Sequence, residues 1–349
     1  MKRKNANMRL IQFWLTGVGR RVGYVDGKNV IDLTSINEKW TMIYYLFFEA
    51  RRNGKTISAY LRDFSLENGD VLSYDQLWRA KPGDPNGWIL PPLDHPDPAH
   101  CIISGTGLTH LGSAQQRNEM HATSNEGSKT DSQKMFEMGL KGGKPKPGVR
   151  GVQPEWFYKG NGAILRGHND FLDIPEFSED GGEEPEIVGC YVIDENGIPC
   201  RLGFAIGNEW SDHRMERANY LWLAHSKLRV CSVGPELITD IDFRNIRGRC
   251  CIFRGDRKIY DSGELLTGEE NMVHSLANIE DHHFKYPQFR IPGDVHLHFL
   301  GTMKLSFPNR PHFQTGDRIE ISFTGMGAPL INYVRKLPYS QTPITVEQG

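Results

Sequence analysis

The sequence predicts an α+β protein, mostly β, with a small N-terminal β-rich domain (residues 1–95) ahead of a larger domain (96–349). Three observations predict it. Glycine (37) and proline (20) exceed average usage in the 349 residues, which favours turns and short strands over a helical bundle. Short apolar runs are punctuated by Asp-Gly and Asn-Gly turn signals. A proline-rich stretch at 82–100 cannot build a sheet interior and reads as an extended linker, placing the boundary near residue 95.

The elements follow in order. Residues 10–33 read as three short strands, with Asp26-Gly27 marking the hairpin between the last two. Trp40, Ile43, Leu46 and Phe47 recur at helical spacing, which predicts a helix over 38–64. CIISGTGLTHLG (101–112) reads as a buried strand entering a Gly-rich turn. Residues 113–150, rich in Gly, Lys and Ser, are expected to form a mobile covering segment. It holds one helix, capped by Thr130 with Gln133 three residues on. Met272, Leu276 and Ile279 predict a packed helix near 268–283. His282, His283, His296 and His298 have no persuasive zinc-ligand spacing and read as structural.

Composition excludes several functions. With 41 basic and 43 acidic side chains the net charge is −2, which argues against nucleic-acid binding through bulk positive charge. No apolar run approaches the ~20 residues needed to span a bilayer. Six scattered cysteines without CxxC spacing suit reduced thiols in a cytoplasmic protein. Lys2, Arg3 and Lys4 read as a solvated tail, and no signal-peptide cleavage site follows.

The most informative stretch is GGEEPEIVGCYVIDENGIPCRLGFAIGNEWSDH (181–213). A strand from Glu186 to Asp194 turns at Asn196-Gly197 and returns from Pro199 to Gly207. Residues i and i+2 share a face, so Glu184 and Glu186 point the same way. With a two-residue turn, Glu184 lies opposite Glu209 and Glu186 opposite Gly207. Opposed like charges destabilise a sheet. Two readings fit: a solvated acidic turn, or a hard divalent cation held by oxygen ligands.

At these residues the chain resembles the fumarylacetoacetate hydrolase superfamily, over roughly residues 96–335. The resemblance rests on Glu184-Pro185-Glu186, Asn208-Glu209-Trp210-Ser211-Asp212-His213, Phe157-Tyr158-Lys159 and Gly234-Pro235. Pro292-Gly293-Asp294 with Gly301-Thr302, and Gly316-Asp317 with Gly325-Met326-Gly327 and Asn332, complete it. It implies a mixed β-roll or barrel-like core and a homodimer. It implies that Glu184, Glu186 and Glu209 bind Mg²⁺, with Mn²⁺ or Ca²⁺ as alternatives. Glu209 replaces the family's Asp, and His213 stands where an Arg is usual. Thr302 and Gly301 are expected at the substrate carboxylate, with Ser211 and His225 nearby. Lys159 and Lys227 are expected in the pocket.

One departure changes the chemistry. Hydrolytic members carry a His–Glu dyad that activates water; Ser113 and Gln116 stand in those places, and neither is a general base near neutral pH. The resemblance extends to a branch linked to dehydration of 2-keto-3-deoxy-L-arabinonate. The expectation is a 2-keto acid chelated to Mg²⁺, with Lys227 as the base, its pKa lowered by the ion and Lys159, and His110 as the acid. Two alternatives stand beside it: C–C hydrolysis of a 2,4-diketo acid, and non-catalytic sugar-acid binding.

Overall fold

Strands Pro185–Ile193 and Pro199–Asn208 form the middle of a 12-stranded mixed sheet. Every residue of Pro185–Ile193 is buried. One face, with Val188, Cys190, Val192 and Ala205, packs into one core cluster. The other face, with Ile187, Phe204 and Ile206, packs into a second cluster with Ile252, Ile321 and Leu330. Those three belong to strands of a six-stranded sheet laid against the first. Burial on both faces explains why the first strand is continuously apolar rather than alternating. The computed structural model describes residues 7–121, 129–338 and 343–349. The predicted tail at Lys2–Lys4 lies outside them.

The hairpin register around the glutamates is the expected one, for a reason the sequence reading did not contain. The connection is a three-residue loop, Glu195-Asn196-Gly197, closed by Asp194 N–H to Ile198 O (2.9 Å) and Gly197 N–H to Asp194 O (3.0 Å). Gly197 supplies the left-handed φ of +76° that this loop needs. Near the loop, Tyr191 therefore faces Arg201, one residue off the expected partner. A bulge between the Cys190 and Tyr191 pairs restores the count, and Glu186 faces Gly207. Two irregularities cancel, so both glutamates stay on the intended face.

The first 95 residues hold strand and helix in about equal measure, and their strands extend the same large sheet, with Leu10 opposite Leu237. Their Leu10, Trp40 and Leu46 share a core with Val188, Val233 and Leu297. The proline-rich stretch contributes one short strand, Trp88–Leu90, where three residues escape proline and pair with Gln12–Trp14. The expected helix over 38–64 is two helices, Ile43–Arg52 and Ile57–Leu61. Gly54 at φ +65° ends the first and the Thr56 hydroxyl caps the second. In the expected covering segment, helices Leu111–His121 and Asp131–Gly142 are present, the second capped by Thr130 as read; residues 122–128 lie outside the description. Met272, Leu276 and Ile279 are buried, with a helix over Leu276–Phe284. No helix among the described residues is long and apolar enough to cross a membrane.

Candidate metal centre

The hairpin mouth gathers three carboxylates. Glu209 N–H donates to Glu184 O (3.0 Å), which sets these two residues across from each other just beyond the paired strands. Each of Glu184, Glu186 and Glu209 offers an oxygen within 4.8 Å of the others. All three are buried, and a buried carboxylate is tolerated only when paired. At such separations two like charges repel by about 3.5 kcal/mol at an effective dielectric of 20.

Two buried lysines supply part of the compensation. Lys159, on strand Phe157–Asn161, donates from Nζ to Glu209 Oε1 (2.6 Å), Trp210 O (2.5 Å) and Lys227 O (3.0 Å). Its three protons are thereby used. Lys227 closes the short helix Leu223–Lys227 and donates to Glu184 Oε1 (2.5 Å), Glu209 Oε2 (2.5 Å) and Ser211 Oγ (3.1 Å). Its ammonium lies 4.7 Å from the Phe157 ring centroid. Three carboxylates thus face two ammoniums. The deficit falls on Glu186, whose carboxyl is pushed well above its ordinary value by burial and by Glu209 and Glu184. Burial pushes Glu184 the same way, but Lys227 and His213 outweigh it and hold that carboxyl well below the usual range.

This donor set fits a hard divalent cation. Three carboxylate oxygens suit Mg²⁺, Mn²⁺ or Ca²⁺, and a divalent charge covers the deficit of one and leaves one positive charge for an anionic ligand. Glu184 and Glu186 line a cavity of about 10 Å³, the space of one water-sized body.

No family model matches the chain, and no curated protein matches it. Solved structures do. A 2-keto-3-deoxy-D-arabinonate dehydratase complexed with magnesium and 2,5-dioxopentanoate superposes with a TM-score of 0.67 at 20% identity, over 95% of this chain and 99% of that one. Fumarylacetoacetate hydrolase from psychrophilic Exiguobacterium antarcticum gives 0.60 at 13% identity, over 95% and 100%. Maleylpyruvate hydrolase from Sphingobium sp. SYK-6, with manganese(II) and pyruvate, gives 0.57 at 15% identity, over 94% and 99%. The chain has the fumarylacetoacetate hydrolase fold.

Within this fold the other expected site residues divide. Gly301 N–H donates to Glu186 Oε2 (2.7 Å), so it positions a carboxylate of the trio. Thr302 lines the cavity, with Oγ1 donating to Pro185 O (3.2 Å). Ser211 donates to Glu209 Oε1 (2.9 Å) and belongs to the lysine–carboxylate network.

Two expectations are corrected. His225 is exposed, because the turn of helix that buries Lys227 points the residue two positions earlier outward. His110 is buried away from the cavity, with Nδ1 bonded to Thr109 Oγ1 (2.9 Å) and Nε2 to Thr267 Oγ1 (3.0 Å). Burial lowers its pKa to about 3, so it packs as a neutral ring and is no acid for the pocket. The lowered Lys227 pKa was expected with an ion bound. In the metal-free protein burial pulls it down, but Glu184 and Glu209 outweigh burial and hold it well above the ordinary lysine value.

The places of the hydrolytic dyad are filled by structural contacts. Ser113 Oγ donates to His110 O (3.2 Å). Gln116 clamps one residue from both sides: Nε2 donates to Leu305 O (3.1 Å) and Oε1 accepts from Leu305 N–H (2.8 Å).

Sequence reasoning missed three buried residues at the cavity, Arg117, Glu216 and His213 in a bonding role, and Glu155 behind them. Arg117 Nη1 donates to both oxygens of Glu155 (2.7 Å each), and its Nε lies 3.0 Å from Glu216 Oε1. His213 Nε2 bonds Glu184 Oε1 (3.1 Å). His213 opens a helix capped by Asp212, a readable signal for its orientation. Arg117, Glu155 and Glu216 come from separate stretches, and nothing local marks them. The histidines at 283, 296 and 298 bond to each other or to hydroxyls, as in Ser104 Oγ with His298 Nδ1 (2.9 Å) and His283 Nε2 with His296 Nδ1 (2.9 Å).

Proposed function

We propose that the protein is a divalent-metal-dependent dehydratase of a 2-keto-3-deoxy sugar acid, with 2-keto-3-deoxy-L-arabinonate and its D form as the first substrates to test. The observation that carries this is the convergence of three buried carboxylates within 4.8 Å of one another, two of them lining an ion-sized cavity, with a positive charge missing. The likeness to a dehydratase solved with magnesium and 2,5-dioxopentanoate supports the same reading.

Glu184, Glu186 and Glu209 would hold the cation. Bound there, it supplies Lewis acidity to the ketone and carboxylate of an α-oxo acid, which acidifies the neighbouring C3–H. Gly301 orients Glu186, and Lys159 orients Glu209 while fixing the backbone of Lys227. In the metal-free protein Glu184 and Glu209 hold the proton on Lys227 Nζ; with those carboxylates ligating an ion, Lys227 would accept the C3 proton and pass it to the departing C4 hydroxyl. Thr302 offers a hydroxyl at the cavity wall to the substrate carboxylate.

Hydrolysis of a 2,4-diketo acid would use the same grip. The two positions that would carry its water-activating dyad hold Ser113 and Gln116, both spent on backbone contacts, so the water-activating step has no residue in its place. The test is direct. Protein loaded with Mg²⁺ or Mn²⁺ should convert a 2-keto-3-deoxypentonate into 2,5-dioxopentanoate, read by NADP-coupled oxidation of the aldehyde. Loaded protein that leaves every 2-keto-3-deoxy pentonate and hexonate intact, or that instead releases pyruvate from an acylpyruvate, refutes the reading.

A further inference from the structure

The buried Arg117 is shared by two carboxylates on opposite sides of a partition. Arg117 and Glu216 line the ion-sized cavity together with Glu184 and Glu186. Glu155 lines a second cavity, of about 530 Å³, beside Trp156 and His283. The Arg117–Glu155 pair therefore stands between the metal pole and the larger chamber. The chain is shaped to admit it. A Cβ on Gly107 would sit 1.7 Å from Glu155 Oε2, so only glycine lets that carboxylate reach the partition. The next residue, Leu108, has a left-handed φ of +53°, a strained conformation for a leucine at a cavity wall.

We propose that Arg117 and Glu216, braced by Glu155, bind the hydroxyl-bearing end of the substrate and select it against apolar or acidic tails. This rests on the oxo-acid reading of the metal pole. A hydroxyl donates and accepts at once, so it can give its proton to Glu216 and receive one N–H bond from Arg117. A methyl tail can do neither, and it displaces water from the pair without replacing its hydrogen bonds. A carboxylate tail meets one guanidinium already shared by two carboxylates, a net negative pole, and is repelled. The partition therefore distinguishes a sugar acid from the diacids that a C–C hydrolase would take.

The experiment titrates Mn²⁺-loaded protein calorimetrically with pyruvate and with three five-carbon 2-oxo acids that cannot lose water. These are 5-hydroxy-2-oxopentanoate, 2-oxopentanoate and 2-oxoglutarate. The hydroxy acid should bind at least about tenfold more tightly than the other two, the scale of one hydrogen bond to a charged group. E216Q should lose the discrimination against 2-oxoglutarate, and R117K the preference for the hydroxyl, while both keep the affinity for pyruvate. If R117K does not melt cooperatively, E216Q alone decides. Equal binding of the three acids by the unaltered protein, or an unchanged preference in E216Q, overturns the proposal. Failure of pyruvate itself to bind overturns the oxo-acid reading first, and is distinguishable from both.

Discussion

Replacing Glu186 by Gln should stabilise the metal-free protein and cripple its hold on the ion. Gln is isosteric and keeps an oxygen for the Gly301 amide, so the packing survives. What disappears is one of three buried negative charges. At 4.8 Å, each of Glu184 and Glu209 contributes about 3.5 kcal/mol of repulsion at an effective dielectric of 20, and Lys227 returns roughly one such term. The protein can also escape by protonating Glu186. From an ordinary value of 4.5, that costs about 3.4 kcal/mol at pH 7. Both routes put the gain from E186Q at about 3.5 kcal/mol at pH 7. For 349 residues this raises Tm by about 5 °C. The sign with pH follows. A carboxyl whose folded pKa is raised binds more protons in the native state, so the Glu186 penalty relaxes as pH falls toward 4.5, and the gap to E186Q closes. The assay is thermal melting in EDTA and in saturating Mn²⁺. The unaltered protein should gain about 2.7 kcal/mol at a hundredfold excess over Kd, and E186Q far less. A lower Tm for E186Q in EDTA at pH 7, or a full Mn²⁺ shift in that variant, refutes the reasoning.

Other outcomes follow from the same structure. His110, His296 and His298 are buried neutral with pKa values lowered to about 3, and His168 and His274 to about 4. The unfolded chain takes up these protons near 6.5, so stability is full above that pH and is lost as pH falls. Urea midpoints at pH 7, 6 and 5 should drop progressively, and a flat profile contradicts this burial. Gln116→Ala removes both bonds to Leu305 and should cost about 1–2 kcal/mol in urea unfolding; loss of turnover with unchanged stability would instead mark Gln116 as chemical. Gly107→Ala drives a methyl onto Glu155 and should destabilise by at least about 1–3 kcal/mol; a neutral melt would show that the partition yields. Lys159→Met leaves Glu209 and two carbonyls without their donor, and should cost about 3–5 kcal/mol in EDTA; unaltered melting would show that the carboxylate finds another partner.

The hairpin was the part of the molecule most legible in the sequence. Strand periodicity, the Asn-Gly turn and the E-x-E spacing are local signals, and they set Glu184 across from Glu209. The reading nonetheless reached the right register through a wrong turn, because the bulge before Tyr191 offsets the third loop residue. The split of the 38–64 helix was also written locally, in Gly54 and Thr56, and was outweighed by the apolar periodicity. His110 could not be read. Its role depends on a hydroxyl 157 residues away, which decides whether the ring serves the pocket or the core. Arg117 was hidden for the same reason, since its partners are 38 and about 100 residues downstream and the helix carrying it has no strong apolar face to orient it. Lys227 was found, but the hold of Glu184 and Glu209 on its ammonium was not. Residue type does not reveal how many carboxylates meet one ammonium.

The Gln116 clamp has a mechanical consequence. It ties the Leu111–His121 helix to Leu305, on the segment that begins with Gly301, and Gly301 steadies Glu186. The helix and the carboxylate trio are therefore not independent: a displacement of one is passed along four residues of backbone to the amide that steadies the other.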